Sequence, residues 1–454
     1  MTNIFIASTI GEDMTVEQGG KQRFGVLAHG YQPPRRFNVD VTTAHGSYNA
    51  SYSVVPEINV QITEQVYRPI LAEVEAIPSG LVTSIYAPLR SDIKRTNPSL
   101  FAKIQEAVAH TPDKEYCILG DPLVHNILPL LPSDDQIMLL EAGLIAFQND
   151  FGFTPKGLWL PETAVSKEVL KNAARVGYEF VPLRDNQVKN IPEGVQLDAN
   201  HNVCFVDVGE AKDIAVLLGN SGLSGFVSYA LWSTYNAEEF MNGRKNGEQA
   251  HGWNSFMMMD LERFGHHQVG ADAFLKSILA IQENYGYIPL NMKEVLKEFQ
   301  QSGGKTFVDV VDNSSWSCPH DLGRWTGRCN CDNPTESALK TKQQLFGELQ
   351  GMNTLLNYAL DALKPNWRKE FVHVFTSLSD DIFTGENFGP TLFAQVLNRG
   401  GDEETARLYL AKIEAMVGMT SCGWFFGGDD GVERIIPTSM SKGLQDLLVP
   451  ELEH

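Results

Sequence analysis

Two stretches far apart in this 454-residue chain carry residue types suited to acid–base and nucleophilic chemistry. The first reads Gly157-Leu-Trp-Leu-Pro-Glu-Thr-Ala164. Leu158, Trp159 and Leu160 form a short apolar run of strand type, Pro161 cannot continue a ladder because it has no N–H, and Glu162 stands just beyond the end. Ser166 then reads as the N-cap of a helix with Val169, Leu170, Ala173 and Val176 on one face and a stop at Gly177. Taken alone, Glu162 can also be read as a carboxylate favouring that helix N-terminus. The second stretch runs Ser255-Phe-Met-Met-Met259 and ends on Asp260-Leu-Glu262-Arg-Phe-Gly-His266-His267. In a strand, Asp260 and Glu262 project to one face and Leu261 to the other. Such a polar cluster is costly to bury without a purpose, so two acidic strand ends predict a cleft lined by carboxylates.

Histidines stand at comparable places. Phe24-Gly-Val-Leu-Ala28 reads as a first strand, followed by His29-Gly-Tyr31-Gln32-Pro33-Pro34, a proline-stiffened loop presenting polar side chains. Glu115 to Leu119 reads as another, with His125 in the loop beyond it. A fourth group, Cys318, His320, Cys329 and Cys331, offers enough soft ligands for tetrahedral zinc, although its Cys-x-His and Cys-x-Cys spacings are tighter than those of a zinc finger. Two readings stay open there: a structural zinc, or a metal-free thiol-rich loop beside the cleft, with Trp316 and Trp325 shaping a binding subsite.

The elements that must position these groups alternate. Amphipathic helices are expected at Asn59 to Ala76, with Pro69 breaking or kinking it, at Phe101 to Ala109 and at Gln136 to Phe151. Strands are expected at Glu179 to Leu183, Val203 to Val208 and Ile214 to Leu218, then helices at Phe226 to Met241 with Trp232 and Tyr235, at Ala271 to Tyr285 and at Met292 to Gln300. Alternation over about 280 residues implies a parallel sheet, and polar strand ends favour a closed or nearly closed barrel with a repeat number nearer seven than eight. Val308 to Val311 reads as a last strand. Beyond it Thr335 to Leu363, Trp367 to Leu378 and Glu404 to Val417 are helical by pattern, and a glycine-rich loop follows with Trp424, Asp429 and Asp430. The division expected is an N-terminal lead (1–20), a catalytic barrel (21–305), a Cys/Trp-rich connecting loop (306–334) and a C-terminal α-helical domain (335–454).

Composition narrows the partners. Lys plus Arg is 36 and Asp plus Glu 56, a net charge of −20. Such a surface repels nucleic acid and anionic membranes and leaves neutral small molecules or polymers as easier partners. No apolar run approaches the ~18 residues that cross a bilayer. The first residues lack the basic stretch of a signal peptide, so a cytoplasmic protein is expected. Six cysteines in so long a chain do not form a disulfide scaffold.

The ordered set of His29 with Gln32-Pro33, His125 before Ile-Leu-Pro-Leu-Leu131, Gly157-x-Trp-Leu-Pro-Glu162 and Asp260-x-Glu262-x-Phe-Gly-His266 resembles glycoside hydrolase family 57 over roughly residues 24 to 300. Tyr31-Gln-Pro-Pro-Arg35, Trp316-Ser-Cys-x-His320, Gly323-x-Trp325 and Thr420-Ser-Cys-Gly-Trp-Phe-Phe426 resemble an uncharacterised bacterial subgroup with a C-terminal helical extension. The resemblance implies an incomplete (β/α)7 TIM-like barrel and a retaining enzyme acting on α-linked glucan or a related oligosaccharide, with Glu162 as nucleophile and Asp260 as acid/base. It maps sugar contacts to His29 and His125. Gln32, Trp159, Glu262, His266, His267 and Trp424 complete the expected substrate-binding set. Here Tyr31 replaces the histidine that usually precedes Gln-Pro, and the fifth family region is absent in its usual form. No cofactor is required by this chemistry. A non-catalytic glycan-binding protein on the same scaffold is the alternative; a metal-dependent deacetylase is disfavoured because the chain has no His-x3-His pair.

Overall fold

The computed structural model describes residues 22–43, 46–191, 203–210, 212–230, 236–251, 256–302, 304–331, 333–425 and 434–452. The expected N-terminal lead, Trp232, Tyr235, Asp429 and Asp430 lie outside these residues.

The apolar runs around the acidic strand ends form the frame. Strands Phe256–Asp260, Arg23–Gly30, Leu81–Ile85 and Ile118–Leu119 lie side by side and parallel in that order. Parallel bridges from Gly120 to Leu158 and from Gly157 to Phe180 carry the series onward through 157–160, which pairs too briefly to make a full strand. Phe180–Arg184 and Ile214–Gly219, again parallel, complete it. Four strands, one bridged segment and two more strands make seven among the described residues, the number the alternation suggested. The seam lies between Ile214–Gly219 and Phe256–Asp260, where the Asn220 N–H donates to Phe256 O at 2.8 Å. No ladder among the described residues closes that seam, because Val203–Val206 pairs antiparallel along Ile214–Gly219 and occupies its edge. The result is an incomplete barrel. Two glycines allow the close approaches: a Cβ on Gly219 would lie 2.7 Å from Met258 Cβ, and one on Gly157 would lie 2.4 Å from both Leu119 Cδ2 and Phe180 Cζ.

Side-chain parity decides what faces the barrel axis. Leu27, Val82, Leu119, Trp159, Phe180, Leu217 and Met258 pack together in the interior, whereas Val26, Ala28, Leu81, Met257 and Met259 pack under the outer helices. Since strand side chains alternate, His29, Ser84, Arg184 and Asp260 share the inward phase and emerge at the C-terminal rim. Register sets His29 level with Ser84 on one neighbour and with Asp260 on the other.

The helix after Glu162 is Lys167–Val176, with the Ser166 side chain accepting from Val169 N and Gly177 ending it at φ 112°. Around Pro69 the chain does not break: α-helix Glu57–Ile62 widens into π-helix Thr63–Ala72, which accommodates the ring. Lys114–Cys117 is a helical turn, so the strand expected from Glu115 shrinks to Ile118–Leu119. Val308 to Val311 contributes only Asp309–Val310, antiparallel to Val188–Lys189 and outside the barrel. The hairpin Arg36–Thr43 with Gly46–Ser53 lies outside the elements expected above, although Phe37, Val39 and Val41 alternate with polar residues, and it packs Phe37 and Val39 against Phe388 and Gly389 of the helical region.

The C-terminal region surrounds helix Glu403–Gly418, which is buried almost throughout, with Glu336–Leu363, Gly389–Asn398 and Ile435–Leu452. One hydrophobic cluster runs from Met138 and Leu139 of helix Ser133–Phe151 to Leu349, Leu356 and Ile413, so this region and the barrel share a core. Inside it, Lys412 Nζ lies 2.8 Å from Asp135 Oδ1, both side chains fully buried, and Asn353 donates to Asp135 Oδ2 at 2.7 Å. Burial lowers the Lys412 pKa to about 8, a sign that desolvation weighs heavily against this pair. Removing one partner strands the other charge. Lys412→Met is expected to destabilise by about 3–5 kcal/mol in chemical denaturation, and Asp135→Leu with Lys412→Met to recover most of that loss.

Candidate active site

The inward-phase residues open into a cleft of about 850 Å³ lined by His29, Tyr31, Gln32, His125, Glu162, Arg184, Asp260, Glu262, His266, His267, Trp316 and Arg324, among others. Carboxyl groups from both acidic stretches therefore meet in one space.

Glu162 sits in a 3-10 turn, Pro161–Thr163, with φ 56° and ψ 19°, and Thr163 follows at φ 50°. Left-handed non-glycine residues cost on the order of 1–3 kcal/mol each and need to be held. Thr163 Oγ1 donates to Gln187 Oε1 at 2.9 Å, Gln187 Nε2 donates to Thr163 O at 2.8 Å, and Trp316 N donates to Thr163 Oγ1 at 3.0 Å. The turn aims the carboxylate at its donors: Trp316 Nε1 and Ser317 Oγ both donate to Glu162 Oε2 at 2.9 Å. Burial raises the Glu162 pKa, while these two donors and the Arg324 charge oppose the rise. Neither Trp316 nor Ser317 is near in sequence.

Asp260 has the opposite surroundings. It is open to the cleft, no side-chain hydrogen bond to it occurs among the described residues, and desolvation followed by the charges of Glu262 and Glu162 holds its pKa well above the usual carboxylate range; Arg184 opposes this. The strand stops at Asp260 and Leu261–Arg263 is a 3-10 turn, yet both acids still line the cleft. Glu262 is buried and takes Tyr31 N at 3.0 Å, Gln32 Nε2 at 3.3 Å and the Tyr67 hydroxyl, all on Oε1. Its pKa rises to about 7, chiefly through burial.

The two histidines form a chain. Ser84 Oγ meets His29 Nδ1 at 3.0 Å, His29 Nε2 meets His125 Nε2 at 3.0 Å, and His125 Nδ1 meets Ser421 Oγ at 2.5 Å. Two ring nitrogens can share a hydrogen bond only if one carries the proton and the other does not. Burial supports neutrality: it lowers the His29 pKa to about 3 and holds His125 well below its usual value. Tyr31 stacks on His125 with centroids 3.8 Å apart.

Several expected site residues are placed differently. Trp424, expected among the substrate contacts, is not among the residues lining the cleft: it is 1% exposed, donates Nε1 to Gly418 O at 3.1 Å and meets Phe346 edge-on. The glycine-rich stretch folds it inward, and Ser421, Cys422 and Phe425 reach the cleft instead. Trp159 is fully buried and stacks at 5.2 Å behind His29, supporting that ring from the barrel interior. Trp325 is also fully buried, leaving Trp316 to face the cleft. His266 lines the cleft and its Nδ1 lies 3.0 Å from Gln65 Oε1. Tyr67, Ser84, Arg184, Ser317 and Ser421 were not singled out in the sequence. Ser317 and Ser421 stand inside the quoted motifs without a role of their own, and Arg184 had a legible signal as the charged residue ending the apolar run Phe180 to Leu183.

Outside the cleft the ligand atoms of Cys318, His320, Cys329 and Cys331 all lie within 4.8 Å of one another, a set able to hold a metal ion.

Residues 18–310 match the model of glycosyl hydrolase family 57, and the chain belongs to that family. Similar solved structures include an exo-type maltose-forming amylase from Pyrococcus sp. ST04 (TM-score 0.70, 15% identity, covering 95% of this chain and 80% of that one). Others are an α-amylase from Thermotoga maritima (TM-score 0.61, 12% identity, 95% and 94% covered) and a branching enzyme from Thermococcus kodakaraensis (TM-score 0.58, 13% identity, 95% and 96% covered). No curated protein matches the sequence.

The Glu262 carboxyl, with a folded pKa near 7 against about 4.3 in an unfolded chain, binds a proton more tightly when folded. That contribution to stability is complete below about pH 4 and is lost as pH rises through 7. Glu262→Gln keeps an acceptor for Tyr31 and Tyr67 and cannot ionise. Its melting temperature is expected to exceed that of the wild type at pH 8, with the gain vanishing at pH 4.

Proposed function

We propose that the protein is a retaining glycosidase or glucan-transferring enzyme acting on α-linked glucan, with Glu162 as nucleophile and Asp260 as acid/base. The observation that carries this reading is the contrast between the two carboxyl groups. Donors and a nearby guanidinium favour the Glu162 anion, whereas like charges and the lack of donors favour protonated Asp260. Retaining cleavage needs such a pair, one carboxylate to attack and one acid to protonate the leaving oxygen.

With Oε2 held by Trp316 and Ser317, Oε1 is the atom free to attack the anomeric carbon. As the Glu162–sugar bond forms, the glycosidic C–O bond breaks and Asp260 transfers its proton to the departing sugar oxygen. Asp260, now a carboxylate, takes a proton from water or an acceptor sugar hydroxyl, whose oxygen displaces Glu162 and restores both groups. Water gives hydrolysis and a sugar gives transfer. Arg184 stabilises the Asp260 anion at mid-cycle. The two Nε2 atoms of His29 and His125 form a donor and acceptor pair that a substrate hydroxyl, itself both donor and acceptor, can engage in place of their mutual bond.

We place the catalytic unit at 21–305, with 306–334 as connection and 335–454 as the helical domain that completes the cleft through Ser421 and Cys422. None of the six cysteines is paired in a disulfide, which suits a reducing, cytoplasmic setting.

Maltooligosaccharides and amylose incubated with purified protein, with products resolved by chain length, should show turnover that Glu162→Gln reduces by at least about 10³-fold. Full activity of that variant would refute the assignment; longer products identify transfer and only shorter ones hydrolysis. Glu262→Gln removes a like charge beside Asp260 and lowers its pKa. The alkaline limb of the kcat/KM profile, set by the protonated acid, should therefore move to lower pH.

A further inference from the structure

The Cys318, His320, Cys329 and Cys331 cluster has the dimensions of a filled coordination sphere. Cys318 Sγ lies 3.7 Å from Cys329 Sγ and 3.9 Å from Cys331 Sγ, and His320 Nδ1 lies 3.3 Å from Cys331 Sγ. Tetrahedral zinc, with Zn–S near 2.3 Å and Zn–N near 2.0–2.1 Å, sets sulfurs about 3.8 Å apart and sulfur from nitrogen about 3.6 Å apart. The two sulfur–sulfur edges bracket the first value, the His320–Cys331 edge is shorter than the second, and every remaining separation stays within 4.8 Å. Both sulfur–sulfur edges are far longer than a disulfide, in which the sulfurs stand about 2.05 Å apart.

The tight spacings become workable through a reversal of the chain. Asp321 and Leu322 are left-handed, at φ 46° and 60°, and Gly323 N donates to His320 O at 2.7 Å. A Cβ on Gly323 would lie 3.0 Å from Cys329 Cβ, so the turn presses the first ligand pair directly against the second. Cys318 is buried, Cys329 and Cys331 are half-buried and His320 is exposed, the gradient expected of a site at the edge of a loop.

We propose that these four side chains bind one structural zinc ion, and that the ion fixes the loop whose donors hold Glu162. Binding converts three thiols to thiolates with release of their protons, and with a neutral imidazole it gives a complex of net charge −1. All four positions come from protein, leaving none open for catalysis. The consequence for the cleft follows from position. Trp316 and Ser317, the two donors to Glu162 Oε2, directly precede Cys318, and Arg324, whose charge acts on Glu162, lies inside the loop that the metal closes. This second half of the proposal rests on the role given to Glu162; the zinc site does not.

Elemental analysis of the full chain purified without chelator should find about one zinc per molecule, and Cys329→Ser with Cys331→Ser should lose nearly all of it. Chelator-treated wild type refilled with Co²⁺ should show the visible absorption of tetrahedral cobalt–thiolate coordination, a readout independent of activity. Less than about a tenth of an equivalent of zinc, together with no tetrahedral cobalt spectrum, overturns the site. Chelation should lower kcat on the order of 10²-fold, and Zn²⁺ should restore it, because a small displacement of the nucleophile costs that much. Metal bound but kcat unchanged by its removal overturns the link to Glu162 and leaves the zinc site standing. Turnover absent from both forms overturns the role of Glu162 and the link with it, while metal content and the cobalt spectrum still decide the site.

Discussion

Three carboxyl groups share one cleft, and the protein cannot leave all of them ionised and undonated. Desolvation within the cleft raises Glu162, Asp260 and Glu262 alike, and the charges of its two neighbours push Asp260 further. The surroundings then separate them. Glu262 receives a backbone N–H, an amide and a phenol on a single oxygen, Glu162 receives an indole and a hydroxyl, and Asp260 receives none among the described residues. Chemistry that needs an anion beside an acid depends on this unequal supply of donors more than on the carboxyl groups themselves.

The donors arrive from every part of the chain. Tyr67 comes from a wide helical turn around Pro69, Gln32 from the first rim loop, and Trp316 and Ser317 from the segment that links barrel and helical region. The helical region itself supplies Ser421, which ends the hydrogen-bond chain from Ser84 through His29 and His125. It is therefore part of the site's wall. A shared hydrophobic core, the hairpin against Phe388 and the buried Lys412–Asp135 pair hold it at a fixed position relative to the rim.

Much of the frame was legible because it rests on local rules. Apolar runs ended by Pro161 or Asp260, a Ser166 cap and a Gly177 stop are read over a few residues, and the structure places the Asp260 strand and the capped helix accordingly, with the run before Pro161 reduced to a bridged segment. The misreadings have a common cause. Trp424 and Trp325 sit in glycine-rich or cysteine-rich stretches that look exposed, yet an indole buries more apolar surface than such a loop can leave in water, and both fold inward. The hairpin strand Arg36–Thr43 alternates Phe37, Val39 and Val41 with polar residues; what no local pattern reveals is the partner of that face, helices about 350 residues further on.

By itself, the sequence determined which carboxylates end strands, that strands and helices alternate around a nearly closed barrel, and that residues resembling one glycoside hydrolase family occur in order. Those properties depend on period, capping and chain-breaking residues, which act between near neighbours. Only the tertiary structure decided the donor set of each carboxyl group, the His29–His125 bond, the seam between Ile214–Gly219 and Phe256–Asp260 and the convergence of three thiols with His320. Each of these joins groups tens to hundreds of residues apart or requires a left-handed turn, and their proximity is set by packing of the whole core.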